Sequence, residues 1–508
     1  MLELVSFICG FAIMSVEIAG ARLLAPVIGS SVITWSALIG TILLFMTLGY
    51  YFSGKLADKK VSYRTFSLII FFSAVWILLI SIGHNPILYF IADKISYNIY
   101  FSSIISSVIL FMVPSFLFGM STPYIVKLAV VDKNINQEKI ASTVGRIGAL
   151  STLGSILGTF LTGFFLLMFF GLTKIFTILA IVLILVALLL AFKAEQNKKF
   201  LISVCIIFFV FTCFFLIYKK PFEEDSVLKS IESPYQHIEI VKVKHWITDN
   251  PILLVSNNIR VGAHAGIEYS NPPKMLSYLN TFRASQMYKP LQKNILVLGG
   301  GIGVFGNFFI KEMRKNYPDE HISVDMVEID KKMFEVGHKY FGIEKLDDLN
   351  EHIKDARVFL NEQITKKNTK KYDSIYVDVY NNRLCIPFHI ITNEAFKEMK
   401  MLLNKDGIIV INIVSTMDGK NSRVLKSIYK TLSNNFKYVK ILKVQNIKSD
   451  SFQNILILAS DKITLYKNRY YDEFKNVIYD NEIDTSSVVS ITDDYSPLLR
   501  YSYTGNYK

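Results

Sequence analysis

The sequence predicts a two-part molecule: a bundle of membrane-spanning α-helices, followed by an α/β domain that is preceded by a small β-hairpin subdomain. Residues 1–218 consist mostly of long apolar segments, whereas residues 219–508 have the mixed composition of a soluble domain. Within the second part, helical patterns alternate with apolar strand patterns. Such alternation is typical of a mostly parallel sheet with helices on both faces. Each part is long enough to form its own core.

The overall composition is too apolar for an ordinary soluble protein. Of the 508 residues, 51% are hydrophobic and 19% are charged. The formal net charge of +13 is explained by lysines in membrane-flanking links and by a lysine- and asparagine-rich composition. The basic residues form no stripe interleaved with aromatic residues, so we expect no nucleic-acid binding.

The cysteines support neither a disulfide framework nor a metal site. The chain has four, Cys9, Cys205, Cys213 and Cys385. Three lie in apolar segments, and none shows a metal-ligand spacing. We therefore expect no bound metal. The N-terminal apolar segment is followed by further apolar segments, which argues against a cleavable signal peptide.

Roughly seven segments are apolar over the length of about 20 residues that a spanning helix needs. Lysine and arginine are concentrated in the links after the second, fourth and sixth segments. The positive-inside rule places these links and the N-terminus in the cytoplasm. The predicted segments are 4–28, 32–53, 65–85, 102–130, 147–170, 172–193 and 200–218.

An odd number of spans creates a conflict about the side of the membrane. Seven spans that begin inside place the soluble part outside, whereas we expect it in the cytoplasm. The conflict disappears if one segment is re-entrant or if a span within 84–101 is missed. We favour a multi-pass cell-membrane protein with a cytoplasmic soluble domain.

Alternation and polarity define the boundaries of the second part. Alternating sequence at Ile238–Trp246 and Ile252–Val261 predicts a β-hairpin. A helix at Lys274–Tyr288 is predicted to lead into the larger domain. The predicted domains are the membrane bundle (1–218), a linker (219–230), the β-hairpin subdomain (231–265) and the α/β domain (266–508).

A glycine-rich turn is the strongest functional signal. The strand Ile295–Leu298 ends in Gly299, Gly300, Gly301 and Gly303, and a second apolar strand, Val324–Asp330, follows after a helical stretch. Strand, glycine turn, helix, strand and acid form the order of a Rossmann-like nucleotide-binding unit. The glycines admit a ligand to the backbone, and the acid can accept hydrogen bonds from two ribose hydroxyls. The alternative is a glycine turn in another kind of α/β domain.

Several short motifs then occur in a fixed order. The second part resembles the polyamine aminopropyltransferases (spermidine synthases), which have the Rossmann-like methyltransferase fold. The whole chain resembles the branch in which that domain follows a membrane helix bundle. The segment Gly54–Lys60 also resembles a loop of major facilitator transporters, in which glycine allows a tight turn and aspartate pairs with basic residues. The shared motifs are SPYQH (233–237), GGGIG (299–303), VEID (327–330), Asp355-Ala356, VDVY (377–380) and TDDYSP (492–497).

The resemblance implies a role for each matching residue. Glu328 is expected to hold the ribose hydroxyls, and Asp355 to accept a hydrogen bond from the adenine amino group. Asp378 is expected to accept a proton or orient an amine, with Asn381 at the neighbouring catalytic position. The alternatives are a helix cap for Asp355 and a strand-end acid for Asp378. The implied donor-binding residues are Gln236, Gly299, Gly300, Gly301, Gly303, Glu328, Asp355 and Ala356.

The sequence also departs from the family pattern where the substrate amine should bind. Ile302 replaces the aspartate that holds the amine tail of the donor, and Asn381 replaces the catalytic aspartate. Pro272-Pro273 stand near the place of a Tyr-His pair. A cationic tail and a polyamine need carboxylates to replace lost water. The nucleoside half of the site is therefore better matched than the amine half.

Three functions are compatible with these patterns. The first is a membrane-anchored transferase that moves an aminopropyl group from decarboxylated S-adenosylmethionine to an amine such as putrescine, in polyamine biosynthesis. The second is an S-adenosylmethionine-dependent methyltransferase with a membrane-associated substrate. The third is a non-catalytic, transporter-like protein with a nucleoside-sensing domain. The expected partners are a small amine and the lipid bilayer, and the resemblance also implies a homo-oligomer.

Overall fold

The structure, a computed structural model, divides into two compact units, Met1–Glu223 and Glu224–Lys508. The predicted site residue Asn381, together with Cys385 and Pro272-Pro273, lies outside the described residues. Those residues are 1–28, 31–59, 61–91, 99–132, 139–194, 198–217, 227–244, 251–256, 265–268, 274–275, 277–367, 369–380, 386–444, 448–498 and 501.

The first unit is helical. Within the part of the chain that the structure describes, six helical segments are long and apolar enough to cross a membrane. The seventh predicted segment falls in a helix whose apolar described part, Ile202–Phe214, is shorter. A π-helical turn, Thr162–Leu166, joins the fifth helix to the sixth. The helices are α1 (Leu2–Ile28), α2 (Val32–Lys59), α3 (Tyr63–Phe90), α4 (Ile99–Asp132), α5 (Ile140–Leu161), α6 (Leu167–Phe169), α7 (Leu172–Phe192) and α8 (Lys198–Ile217).

Glycine lets α1 and α5 pack backbone to backbone. A Cβ atom added to Gly154 would lie 2.0 Å from the carbonyl oxygen of Phe7, and one added to Gly10 would lie 2.0 Å from that of Ser151. Small residues at such contacts allow helices in a membrane to approach closely. Any larger residue at these two positions would push the helices apart.

Helix α4 contains a proline whose missing donor is replaced from a neighbouring helix. Pro114 has no N–H group, so it cannot bond to the carbonyl of Leu110 as a regular helical residue would. The indole Nε1 of Trp76, in α3, donates to that Leu110 oxygen at 3.0 Å. The α3–α4 contact therefore satisfies a carbonyl that the proline leaves free.

The segment Gly54–Lys60 differs from the loop that the transporter resemblance implies. Helix α2 continues through Gly54 to Lys59, so the predicted tight turn is wrong. A Cβ atom at Gly54 would meet no described atom within 4 Å. The expected ion pair is present, since Asp58 contacts Lys127 at 2.9 Å. Both side chains are exposed, so the pair contributes little to stability.

The second unit begins with a small antiparallel sheet of five strands in the order β1-β2-β3-β4-β5. It extends beyond the predicted hairpin: β1 begins inside the predicted linker, and β5 occupies the start of the predicted helix Lys274–Tyr288. The exposed, polar β1 has no apolar alternation that would reveal it. The strands are β1 (Val227–Glu232), β2 (His237–Lys244), β3 (Pro251–Ser256), β4 (Ala265–Glu268) and β5 (Lys274–Met275).

The predicted helix at Lys274–Tyr288 is otherwise replaced by two short elements. Helix α9 (Ser277–Thr281) runs into a 3-10 helix, Phe282–Met287. Because Lys274 and Met275 pair with β4, their backbone groups are bonded in the sheet and not in a helix. The segment therefore enters the larger sheet through an irregular bend.

The larger sheet has eight strands in the order β13-β11-β12-β10-β9-β6-β7-β8. The five strands β6 to β10 are parallel to their neighbours within that set, and the last strands pair antiparallel. The strands are β6 (Asn294–Leu298), β7 (Ser323–Glu328), β8 (Leu349–Ile353), β9 (Tyr372–Val377), β10 (Leu403–Ser415), β11 (Tyr438–Lys443), β12 (Gln453–Ser460) and β13 (Ile478–Tyr479).

Helices cover both faces of this sheet, which confirms the predicted α/β architecture. Separate apolar cores form on the two sides. The chain runs from β6 to β7 and β8 on one side and then returns to β9 and β10 on the other side, so the strand order reverses between β6 and β9. Ligands of open α/β sheets bind at such a point, beyond the carboxyl ends of the strands. The remaining helices are α10 (Val304–Asn316), α11 (Lys331–Tyr340), α12 (Ala356–Ile364), α13 (Asn393–Leu402), α14 (Arg423–Ser433) and α15 (Arg469–Phe474).

Candidate functional site

The glycine turn after β6 leaves backbone open to a ligand. Gly299 has φ +85°, and its Cβ would lie 2.3 Å from the carbonyl oxygen of Asp378, so only glycine fits. Gly301 has φ +53°, and no described atom lies within 4 Å of where its Cβ would be. Gly300 instead approaches Phe334, and Gly303 precedes α10 with φ +83°. Of these glycines, Gly301 therefore offers a ligand the most open approach to the backbone.

Glu328 ends β7 and faces this turn. Its Oε2 accepts a hydrogen bond from the Gly301 amide at 2.9 Å, and its Oε1 accepts one from the Asp330 amide at 3.1 Å. Each carboxylate oxygen has a second acceptor position. Burial raises the pKa of Glu328 to about 7, although the side chain stays partly accessible. The carboxylate can thus accept further hydrogen bonds at the edge of the turn.

The segment Ser233–Gln236 is tied to the same acidic loop. Asp330 is 1% exposed, and its Oδ2 accepts hydrogen bonds from the Ser233 hydroxyl at 2.6 Å and from Gln236 Nε2 at 3.5 Å. The Ser233 oxygen also accepts from the Gln236 amide at 2.9 Å. The small sheet therefore places Gln236 beside the loop that carries Glu328.

Asp355 follows β8 and is the N-cap residue of α12. Its Oδ1 caps the helix by accepting from the amides of Arg357 at 2.9 Å and Val358 at 3.1 Å, which is the helix-cap alternative that the sequence left open. Its Oδ2 lies 3.6 Å from His389 Nε2. Ala356, the first residue of α12, is 8% exposed. The second oxygen of Asp355 is thus outside the cap.

The TDDYSP motif makes polar contacts with this helix and its neighbour. Asp493 pairs with the Arg357 guanidinium at 2.9 Å and accepts a hydrogen bond from the Thr392 hydroxyl at 2.6 Å. Arg357 also pairs with Glu398, in α13, at 2.6 Å. The sequence motif therefore holds the C-terminal segment against α12 and α13.

Asp378 follows β9 directly, and its amide donates to the carbonyl of Leu298 at 2.9 Å. Its Oδ1 accepts a hydrogen bond from Asn412 Nδ2 at 2.9 Å. Burial raises the pKa of Asp378 to about 6. Burial and the charge of Asp378 together raise the pKa of Tyr278 well above its ordinary value. Asp378 thus lies beside two polar side chains that sequence reasoning missed.

A signal for one of these residues was present in the sequence. Asn412 interrupts the otherwise apolar run Ile408–Val414 of β10, and a polar residue in a buried strand needs a partner. Tyr278 gave no such signal, because it lies in the segment predicted as a helix.

Ile302 is one departure from the family pattern, and its surroundings show what the side chain does instead. Its side chain is 1% exposed and belongs to the apolar core on the α10 side of the sheet. An added Cβ at Gly337 would lie 2.0 Å from the Ile302 carbonyl oxygen, so α11 packs directly on this turn. Position 302 therefore contributes to packing and supplies no carboxylate for a cationic tail.

The motif residues lie at one edge of the sheet. The glycine turn, Asp355 and Asp378 follow β6, β8 and β9, and Glu328 is the last residue of β7. These four strands are adjacent and parallel. An open glycine turn with a facing carboxylate, at the point where strand order reverses, is the arrangement of a nucleoside-binding site. By its fold, the second unit is an α/β domain of the Rossmann-like methyltransferase type.

Comparison with known proteins agrees with this class. The spermine/spermidine synthase domain matches residues 283–466. Polyamine aminopropyltransferase 2 of Aquifex aeolicus is 24% identical over 442 residues, which cover 85% of this chain and 82% of that protein. The polyamine aminopropyltransferase of Vibrio vulnificus is 32% identical over 152 residues, which cover 29% of this chain and 48% of that protein. A probable spermidine synthase structure from Corynebacterium glutamicum has 19% identity and a TM-score of 0.42, covering 53% of this chain and 97% of that one.

The match to the spermine/spermidine synthase domain, together with the apolar helices that precede it, agrees with the resemblance that the motifs predict. The Aquifex aeolicus alignment is longer than the second unit, Glu224–Lys508, and therefore includes part of the bundle.

Proposed function

We propose that the protein is a membrane-anchored aminopropyltransferase that transfers an aminopropyl group from decarboxylated S-adenosylmethionine to an amine such as putrescine. The matched domain and the aminopropyltransferase relatives support this activity. The observation that carries it is the joint placement of Glu328 and Asp378 on either side of the glycine turn. One carboxylate is available to a nucleoside and the other to an amine.

The donor would be held mainly by its nucleoside. Glu328 accepts hydrogen bonds from the ribose hydroxyls through its remaining acceptor positions, and the bare backbone at Gly301 lets the donor come close. The second oxygen of Asp355 accepts from the adenine amino group, with Ala356 beside it. Gln236 lies against the nucleoside from the side of the small sheet.

The sulfonium of the donor supplies a good leaving group when bound. The lone pair of the acceptor nitrogen attacks the methylene carbon of the aminopropyl group next to sulfur. The bond between that carbon and sulfur breaks, with its electrons going to sulfur. The products are the aminopropylated amine and methylthioadenosine. Asp378 orients the amine and takes the proton that it loses, because a carboxylate with a pKa of about 6 is ionised near neutral pH and is a stronger base than an ordinary aspartate.

Product release tests this proposal. The purified full chain is incubated with decarboxylated S-adenosylmethionine and putrescine, then with other primary amines, and methylthioadenosine is measured by chromatography. We expect amine-dependent release, which Asp378→Asn abolishes. The absence of methylthioadenosine with every amine tried would overturn the proposal.

A methyltransferase is the second candidate. The buried Ile302 supplies no carboxylate for the cationic tail of the decarboxylated donor, and this favours a donor whose tail is held differently. The same assay distinguishes the two, because a methyltransferase releases S-adenosylhomocysteine from S-adenosylmethionine. Release of that product in place of methylthioadenosine would establish the alternative.

We also propose that the second unit faces the cytoplasm. Six helical segments meet the length and composition of a span, and an even number places the N-terminus and the second unit on the same side. The positive-inside rule makes that side cytoplasmic. A cysteine introduced at exposed Glu335 of an otherwise cysteine-free chain should resist a membrane-impermeant maleimide in intact cells and react after lysis. Labelling in intact cells would show that α8 is a seventh span.

Lipid contact and oligomerisation belong to the same proposal. We expect the bundle to remain in the bilayer and the protein to assemble into homo-oligomers, as the resemblance implies. Mass measurement of the protein in lipid nanodiscs tests both points. A monomer at all concentrations would exclude the oligomer.

A further inference from the structure

A buried amide on β10 contacts the Asp378 carboxylate. Asn412 lies between Ile411 and Ile413, both fully buried, and is itself 3% exposed. Its Nδ2 donates to Asp378 Oδ1 at 2.9 Å. Its backbone carbonyl accepts a hydrogen bond from the Tyr380 hydroxyl at 3.0 Å. The Asn412 side chain is therefore held in a fixed position beside the only acid of the site that we assign to the amine.

The carbonyl oxygen of the Asn412 side chain makes no hydrogen bond to a described residue. Asn412 Oδ1 is buried and has no hydrogen-bond partner among the described residues. A buried acceptor without a donor is costly, and native structures rarely leave one without a reason. Oδ1 and Nδ2 belong to the same amide group, so the unpartnered oxygen lies close to the Asp378 carboxylate that Nδ2 contacts.

We propose that Asn412 binds the acceptor amine through Oδ1 and positions Asp378 through Nδ2. This inference rests on the proposed aminopropyl transfer and assigns its acceptor-binding residue. A neutral primary amine has two N–H groups and one lone pair. Asp378 and Asn412 Oδ1 each accept one N–H group, and the lone pair is left to attack the donor carbon.

The amide suits this position better than a second acid would. Two carboxylates in contact raise the pKa of one of them, and the proton would occupy the oxygen that must accept from the amine. The Asn412 amide donates to Asp378 and so stabilises its ionised form, which opposes the rise in pKa caused by burial. One residue therefore keeps Asp378 ionised and adds a neutral acceptor beside it.

Asn412→Leu tests the inference, because leucine has a similar volume and no polar group. Initial rates of methylthioadenosine release are measured against amine concentration and pH at saturating donor. We expect kcat/KM for the amine to fall about ten- to a hundredfold, which is the usual effect of losing a hydrogen bond to a charged group. The acid limb of the pH profile should move to higher pH, because Asp378 loses the bond that favours its ionised form.

A matched control separates this role from a structural one. Asn350 Nδ2 donates to Asp325 Oδ1 at 3.0 Å between two strands away from the amine site. Asn350→Leu removes the same kind of bond and should leave the pH profile unchanged. Asn412→Asp preserves the shape if the leucine variant does not fold, and it should also move the acid limb upward. An unchanged acid limb together with kcat/KM within about twofold of the wild type would overturn the inference.

A binding measurement distinguishes failure of this inference from failure of the proposed function. Calorimetry measures amine affinity for the full chain saturated with methylthioadenosine, which requires no turnover. Weaker amine binding by Asn412→Leu supports the assignment even if the wild type releases no product. Equal binding by the two proteins contradicts it, and a wild type that neither binds an amine nor releases product overturns both proposals.

Discussion

The Gly301 amide donates a hydrogen bond to the Glu328 carboxylate across 2.9 Å. This bond joins the turn after β6 to the acid that ends β7, two adjacent strands of the sheet. The turn and the acid are therefore held as one unit before any ligand arrives. Such preorganisation reduces the cost of ordering the site when a nucleoside binds.

The first prediction concerns the pH dependence of nucleoside binding. Burial raises the pKa of Glu328 to about 7, and ribose hydroxyls bind the ionised form. Below that pH the group must lose a proton before it binds, so affinity for methylthioadenosine should fall by up to about tenfold per pH unit. Calorimetry of the full chain between about pH 5.5 and pH 8 measures this slope.

Two variants check the origin of that slope. Glu328→Gln should bind methylthioadenosine weakly and with no pH dependence in this range. Glu335→Gln removes a carboxylate from the exposed face of α11, where it pairs with Lys332 at 2.7 Å, and should behave like the wild type. A slope that persists in Glu328→Gln would assign the titration to another group.

The second prediction concerns the bond between Ser233 and Asp330. Asp330 is almost completely buried, and Ser233→Ala removes its 2.6 Å hydrogen bond. A buried charge that loses a donor should cost about 1–3 kcal/mol of stability. Gln236 should also lose its fixed position, so nucleoside affinity should fall together with the midpoint of thermal unfolding.

Ser230→Ala is the control for this variant. Ser230 lies in the same small sheet but is exposed, and its hydroxyl contacts His237 at 3.0 Å. Its replacement should change stability by less than about 0.5 kcal/mol. Similar losses in the two variants would show that the Ser233–Asp330 bond has no special importance.

The third prediction concerns the acid limb of catalysis. With a pKa of about 6, Asp378 is protonated at lower pH and can no longer accept a proton. The rate should therefore fall about tenfold per unit below this value, and Asp378→Asn should lose about 10²- to 10⁴-fold in kcat. Steady-state kinetics across pH, with methylthioadenosine as the product measured, tests both statements.

Asp373→Asn provides the comparison at the other end of the same strand. Asp373 accepts hydrogen bonds from the amides of Lys293 and Asn294 at 2.8 and 3.1 Å, a structural role. This variant should lose stability and keep the acid limb of the wild type. Full activity of Asp378→Asn would remove Asp378 from the mechanism.

The fourth prediction concerns the membrane bundle. Trp76→Phe removes the donor to the Leu110 carbonyl and should cost about 0.5–1.5 kcal/mol. In a Pro114→Ala background, residue 114 regains an N–H group that can bond to Leu110. The same tryptophan substitution should then cost less, which thermal unfolding in detergent can measure. Equal costs in both backgrounds would contradict this account of the contact between Trp76 and Leu110.

Strongly periodic or apolar segments could be predicted from the sequence. The predicted strands Ile295–Leu298 and Val324–Asp330 agree with β6 and β7 within a few residues, because apolar residues dominate both. Exposed elements were missed for the opposite reason. Strand β8 has the polar sequence LNEHI and lies at the edge of the sheet, so no apolar pattern marks it.

In the candidate site, residues within local motifs could be predicted from the sequence, whereas their distant partners could not. Local motifs identified Gly301 and Glu328, since a turn and an acid are read within one βαβ unit. The partners of Asp378 come from distant parts of the chain, Tyr278 and Asn412, and only the fold brings them together. The Ser233–Asp330 bond likewise joins positions 97 residues apart. Long-range contacts of this kind leave no local pattern.

Donor preference is the most direct test of the central claim that this edge of the sheet binds an adenosine moiety for aminopropyl transfer. Calorimetry of the full chain compares decarboxylated S-adenosylmethionine with S-adenosylmethionine near pH 7.5, where Glu328 is largely ionised. We predict binding of the decarboxylated donor at least about tenfold tighter than S-adenosylmethionine, and loss of that binding in Glu328→Gln. Binding of neither compound, or affinities unaffected by Glu328→Gln, would contradict the account.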